Sequence, residues 1–197
     1  MATTAAPYGL RPVNMLGGQP MSHSIRLMRV ASGYATSIFY GDLVTRVADG
    51  TVEKSTVTTD ASAVAGMPVG VFLGCEYEDS SGLRHRQYYP ASLTVDSGTI
   101  IWAYVCDDPD ALFEIQADGT LDLTAIGANG SLIQTAGDAT TGNSAVALDA
   151  SAVATTAAFP LRIVDYVDKT AFSELGDAYT DVIVKLNHHF YRQTTGV

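Results

Sequence analysis

The sequence has few cations, few charges overall and almost no cysteine. Lys and Arg number 11 against 21 Asp and Glu in 197 residues, a formal net charge of −10. Binding nucleic acid requires cations that displace phosphate counterions, so this balance argues against that class. Charged residues make up only 16%, against ~25% in an average soluble domain. The two cysteines, Cys75 and Cys106, are too few for a disulfide framework. Each sits in an apolar run, VFLGC and WAYVC, and reads as a buried free thiol, with a bridge between adjacent strands as the minority alternative. No CxxC pair offers a structural zinc site. No apolar run approaches the ~20 residues of a membrane span. Met1 to Pro20 has no early Lys or Arg followed by an apolar block, the pattern of a secretory signal. Helical periodicity is nearly absent.

Hydrophobic residues make up 47% and glycines number 18. At this length that suffices for one domain with a real core and is too apolar for a disordered acidic chain. Short runs rich in Val, Ile, Tyr and Phe, bounded by Gly, Pro, Asp and Ser, are strand vocabulary. They predict strands near Ile25–Val30, Leu43–Val47, Thr51–Val57, Pro68–Glu78, Arg84–Tyr89, Thr99–Val105, Leu112–Gln116, Leu161–Asp168 and Asp181–Tyr191. Asp49-Gly50 reads as a two-residue type I′ hairpin loop, and Asp118-Gly119 and Ser81-Gly82 as further turns of the same kind. The glycines of GMPVGVFLG (66–74) read as places where a strand bends or bulges. The fold class is all-β, a β-barrel or β-sandwich body.

Two segments depart from that texture. Residues 1–24 combine Pro7, Pro12 and Pro20 with Gly9, Gly17 and Gly18 and carry isolated apolar anchors. They read as an extended N-terminal arm that orders against something, ahead of a body spanning 25–197, or as an ordinary frayed terminus. Residues 127–156 are a low-complexity stretch of Ala, Thr, Ser, Gly and Asn without a cation. They read as an exposed loop or as small flat strands, suited to a surface or a close-packed subunit contact. Charge is segregated as well. Before Asp42 there are three cations, Arg11, Arg26 and Arg29, and no acid, whereas nine acids and no cation lie between Gln87 and Leu161. Such asymmetry can orient a protein on an acidic partner, and chance plus solubility is the bland alternative.

A search for chemistry returns nothing above background. There is no Gly-x-Ser-x-Gly elbow and no phosphate-binding loop. His188 and His189 fall in a strand pattern that points their rings to opposite faces. Asp107, Asp108 and Asp110 form the best oxygen cluster, but they lack the spacing of a calcium loop, and a turn with Asx bonds is the simpler reading. No catalytic residue, metal site or cofactor is assigned, and the chain is read as a non-enzyme.

Several segments, in order, carry a resemblance: PYGLRPV and the Gly-Gly after it (7–18), ASGYATSIFYGDLV (31–44), VGVFLGCEYEDSSG (69–82), WAYVCDDPDALFEIQADG (102–119) and VIVKLNHHFYRQTTG (182–196). Together they resemble capsid decoration, or cement, proteins of tailed bacteriophages. The resemblance implies an all-β protein on the outer surface of the virion head, assembled in the bacterial cytoplasm. It would bridge neighbouring major capsid subunits, as a homo-oligomer and often a trimer, with no nucleic acid or membrane as partner. The arm and charge arguments then select Tyr8, Leu10, Arg11, Arg26 and Arg29 as capsid contacts. Two rival readings stand beside it. One is a head-fibre or tail component binding host glycans through Trp102, Tyr88 or Tyr89. The other is a hydrolase combining Asp107, Asp108 or Asp110 with His85 or His188.

Overall fold

The computed structural model describes residues 4–21, 24–167 and 175–195. Among them are thirteen strands, three single-turn 3₁₀ helices and no α-helix. In chain order the strands are β1 (Arg11–Met15), β2 (Ile25–Val30), β3 (Leu43–Arg46), β4 (Val52–Lys54), β5 (Pro68–Asp79), β6 (Gly82–Arg86), β7 (Ile101–Cys106), β8 (Ala111–Gln116), β9 (Asn129–Gly130), β10 (Leu132–Ile133), β11 (Ala147–Leu148), β12 (Leu161–Tyr166) and β13 (Asp181–Leu186). One antiparallel sheet runs β1-β8-β13-β12-β9. A second runs β2-β7-β5-β3-β4, with β6 added to β5, and β10-β11 form a small ribbon. The fold is therefore all-β, with two packed antiparallel sheets.

Period-two alternation builds the larger core. Val182, Val184 and Leu186 of β13, Phe113 and Ile115 of β8, and Leu161 and Ile163 of β12 are buried on one face of the first sheet. They meet Leu43, Val71 and Cys106, which project from the second sheet. The opposite face of the second sheet buries Met28, Val30, Val44, Val52, Phe72 and Val105 in a separate core. That sheet curls, bringing Cα atoms of β2 and β4 within 8 Å of each other.

Glycines in β5 make the curl possible. A Cβ on Gly70 would stand 2.2 Å from the Cys106 carbonyl oxygen, so only glycine allows β7 to pass so closely. Gly74 has φ +136° and lies at the register shift against β7. The bends and bulges expected in residues 66–74 are present at these positions.

The N-terminal segment orders against the body itself. β1 pairs with β8, and Leu10 is fully buried in the larger core. Pro12 is accommodated because β1 is an edge strand, where a missing N–H need not break a ladder on both sides. The low-complexity stretch forms β9, β10, β11 and a 3₁₀ turn at Ala150–Ala152, and it contributes Leu132, Val146 and Leu148 to the core.

Turn chemistry differs in detail. Asp49-Gly50 does join β3 to β4, but only Gly50 has positive φ. Gly50 N–H donates to the Val47 carbonyl and Val47 N–H to the Thr51 carbonyl, so the hairpin loop is longer than the predicted two-residue form. The β5–β6 hairpin falls at the expected place but turns on Ser80 and Ser81, with Gly82 already in β6 opposite Asp79. Asp118-Gly119 closes none. Asp118 Oδ1 instead accepts from Ala150 N–H, tying the end of β8 to the low-complexity stretch. Several strands are shorter than predicted, β4 among them, which covers only Val52–Lys54 of the expected Thr51–Val57. β6 stops at Arg86, leaving Tyr89 buried and bridged to Ile38. β13 stops at Leu186, ahead of a 3₁₀ turn at Phe190–Arg192. Asp168 lies outside the described residues.

Candidate binding surface

Six of the aspartates serve turns in one pattern. Asp49, Asp60, Asp122 and Asp149 each begin an Asp-x-Ser/Thr step, accepting through Oδ1 from the N–H and the hydroxyl of the residue two positions on. Asp79 and Asp138 accept the corresponding N–H. These bonds hold the carboxyls of Asp49, Asp60 and Asp122 below the usual range. Three of the nine acids between Gln87 and Leu161 are thus turn caps of this kind.

Asp107, Asp108 and Asp110 diverge. Arg26 Nε stands 2.9 Å from Asp107 Oδ2 as a charge contact, without the alignment of a hydrogen bond. Burial nevertheless raises the Asp107 carboxyl above its ordinary value. Asp108 Oδ1 accepts from Asp110 N–H in the expected Asx turn, and Asp110 pairs with Arg192. His85 faces Glu76 at 3.4 Å, and His188 Nε2 lies 2.7 Å from the Ala157 carbonyl. The acids and histidines of the hydrolase reading therefore have separate partners. His189 is buried and caps the last 3₁₀ turn, its Nδ1 accepting from Tyr191 N–H. Burial pushes its imidazole down to about 4. Both thiols are free and buried, and burial pushes Cys75 up to about 12 and Cys106 up to about 11, which makes them unreactive. Among the described residues no group of three or more His, Cys, Asp or Glu could hold a metal ion. His23 lies outside the described residues.

Of the five expected contact residues, Leu10 is corrected: its side chain is fully enclosed and offers nothing to a partner. Tyr8 is engaged internally. Its hydroxyl lies 3.1 Å from Glu114 Oε1 and 3.0 Å from Asp181 Oδ1, and its phenol is raised by burial and by those carboxylates. Arg11 is exposed with its guanidinium 4.2 Å above the Tyr8 ring. Arg26 is exposed beside Asp107, and Arg29 is exposed with its guanidinium 5.4 Å from the Trp102 ring centroid.

Sequence reasoning missed the apolar companions of those arginines. Ile25 is 48% exposed and Leu27 45%, both on the β2 face that carries Arg29. In the ladder to β7, Leu27 lies opposite Tyr104 and Arg29 opposite Trp102. This outer face thus presents alternating aliphatic, aromatic and cationic groups, and on its β5 flank Glu76 accepts from the Tyr104 hydroxyl at 2.5 Å. The signal is present in IRLMRV: Met28 and Val30 already fill the inward face, so Ile25 and Leu27 must point out. Tyr89 is buried and Tyr88 stacks on Phe39 at 5.4 Å, so neither joins Trp102 in a groove.

Comparison of the chain with protein-family models, curated proteins and solved structures gave no match.

Proposed function

We propose that this chain is a structural virion protein that coats the outer head surface of a tailed bacteriophage and cements neighbouring major capsid subunits. The observation that carries the reading is the outer face of β2 and β7. It exposes Ile25 and Leu27 beside Arg29 and Trp102 on a molecule whose net charge is −10. Apolar side chains, an aromatic ring and arginine are the groups that anchor protein interfaces. Arg29, with Ile25 and Leu27, replaces Leu10 as the centre of the contact.

The mechanism is mechanical. A specific contact buries ~1,200–2,000 Å². Spread over several capsid subunits and many copies, that area must be re-exposed before the shell opens under the pressure of its genome, and avidity makes modest contacts effective. The acidic, turn-capped remainder faces solvent and keeps a crowded particle soluble. The glycan-binding alternative is left with Trp102 and Tyr104, and the Trp102 ring lies beneath Arg29.

The test adds purified protein to heads that lack it and measures retention by sedimentation. Saturable binding that Leu27→Asp or Arg29→Glu weakens by roughly tenfold or more supports the reading, as expected for residues at the centre of an interface. Equal retention of both variants rejects it.

A further inference from the structure

On the β5–β6 flank of the second sheet lies a depression of about 460 Å³, with Tyr40, Leu73, Gly74, Arg86, Gln87 and Tyr104 among its lining residues. The local sequence explains why it is open. Gly74 lies opposite Tyr104 in the β5–β7 ladder, so β5 offers no side chain to cover that tyrosine ring at the paired position. Glycine is required there, because φ is +136° and a Cβ would stand 2.9 Å from the Arg86 carbonyl oxygen. The polar side chains around the opening are fixed by contacts of their own. The Tyr104 hydroxyl donates to Glu76 Oε2, His85 Nδ1 faces the same oxygen at 3.4 Å, and Gln87 Nε2 donates to Asn143 Oδ1 at 2.7 Å. Arg86 differs from its neighbour on β6. Arg84 is bound to Asp79 at 2.9 Å, whereas Arg86 is exposed and has no carboxylate partner among the described residues.

A depression of this volume is the size of a small-molecule site, and its chemistry selects the ligand. Two tyrosine rings and Leu73 suit the C–H face of a saturated ring, because the negative face of an aromatic quadrupole attracts polarised C–H groups. Hydroxyls at the edge of such a ring can bond the side-chain oxygen of Gln87 and Nε2 of His85, the atoms that their own contacts leave open. A guanidinium with no acid beside it matches a carboxylate, which it binds through two parallel N–H groups. A neutral sugar would leave Arg86 unmatched, and a bare inorganic anion would leave both rings unused. On a chain of net charge −10, an anion is held only where cations cluster, as His85 and Arg86 do here. We propose that this depression binds a uronic-acid residue of an acidic polysaccharide, with the pyranose against Tyr40 and Tyr104 and its carboxylate on Arg86. The site needs neither Trp102 nor a capsid, so it stands apart from both readings above.

The test titrates purified protein, without heads, with glucuronate, glucose, acetate and an oligogalacturonate, and follows amide chemical shifts. Glucuronate is expected to bind saturably, to move residues 73–75, 85–87 and 104, and to bind roughly tenfold or more tightly than glucose or acetate, as a charge-assisted bond added to ring contact predicts. The oligogalacturonate binds at least as tightly as the monosaccharide. Arg86→Gln lowers the glucuronate affinity roughly tenfold, to that of glucose. Arg84→Gln removes the same charge from the same strand outside the depression and leaves the affinity within about twofold, because a more distant exposed charge is screened. Both positions are exposed, and matching thermal unfolding of variants and wild type confirms folding. Absence of saturable shifts at ~50 mM glucuronate, where even mM affinity would be populated, overturns the proposal. So does acetate binding as tightly as glucuronate, which would mark a site for any carboxylate, including that of an acidic peptide. Equal affinity for glucose, failure of the oligomer to bind, or equal losses in the two variants overturn it as well.

Discussion

Residues 1–24 and the low-complexity residues 127–156 both read as periphery in the sequence, yet the first, with β2 after it, and the second have opposite fates. The low-complexity stretch is a strap drawn into the interior. The N-terminal segment is anchored at Leu10 and then leaves Val13, Leu16, Ile25 and Leu27 exposed. The difference lies in side-chain size. A Cβ on Gly137 would stand 2.5 Å from the Phe39 ring of the body, and one on Gly130 would stand 2.4 Å from Leu148 Cδ1 within the strap itself. Small residues let the strap lie against the body at backbone distance, whereas the bulky residues of β1 and β2 have no cover in the monomer. Low complexity here marks close packing, and exposed bulk marks surface left open to a partner.

Asp42 knots the strap to the body and gives the largest effect. This fully buried carboxylate lies 3.0 Å from Lys54 Nζ, accepts from Phe39 N–H at 2.9 Å and from the Ser144 hydroxyl at 2.6 Å. Asp42→Ala removes one partner of a buried ion pair, and urea unfolding is expected to show a loss of about 3–5 kcal/mol. Next comes Gly137→Ala, which drives a methyl into the Phe39 ring and the Asn143 carbonyl and is expected to cost about 1–3 kcal/mol by the same measurement. A neutral outcome for either would mean that the strap is not packed as described.

Acid should act on the N-terminal side. The 3₁₀ turn capped by His189 packs beside the Asp107–Asp110 link, which holds β2 through Arg26 and through the Ser24 carbonyl. His189 binds its proton near 4 in the fold, against ~6.5 in the unfolded chain. Between those values the unfolded state binds more protons. Its contribution is therefore fully present above ~6.5 and lost as pH falls toward 4. Unfolding followed across that window should show a slope that His189→Asn, which keeps a capping acceptor and cannot charge, reduces. An unchanged slope would contradict the assignment. The smallest effect on stability is expected from Leu16→Ser and Leu27→Ser, each within about 0.5 kcal/mol of wild type in thermal unfolding, because neither side chain is enclosed.

Alternation and turn residues made the β class, most of the strands and the buried cysteines legible from the sequence. Alternation also set the inward faces of β8, β12 and β13. β1 was hidden because Pro12 and its neighbouring glycines read as an extended arm, although an edge strand tolerates them. β9, β10 and β11 were hidden because two-residue strands leave no period to detect. Of the contact surface, the arginines were visible by charge. Ile25 and Leu27 were not, because apolar strand residues read by default as core. Leu10 failed for the converse reason: an isolated anchor in an apparent arm was in fact part of the core.

Hydrogen–deuterium exchange of the protein free and bound to heads tests the central claim most directly. The account predicts slowed amide exchange in residues 24–30 and 101–106 on binding, with the strap at 127–156 unchanged. Protection confined to the strap, with β2 and β7 exchanging as in the free protein, would contradict it.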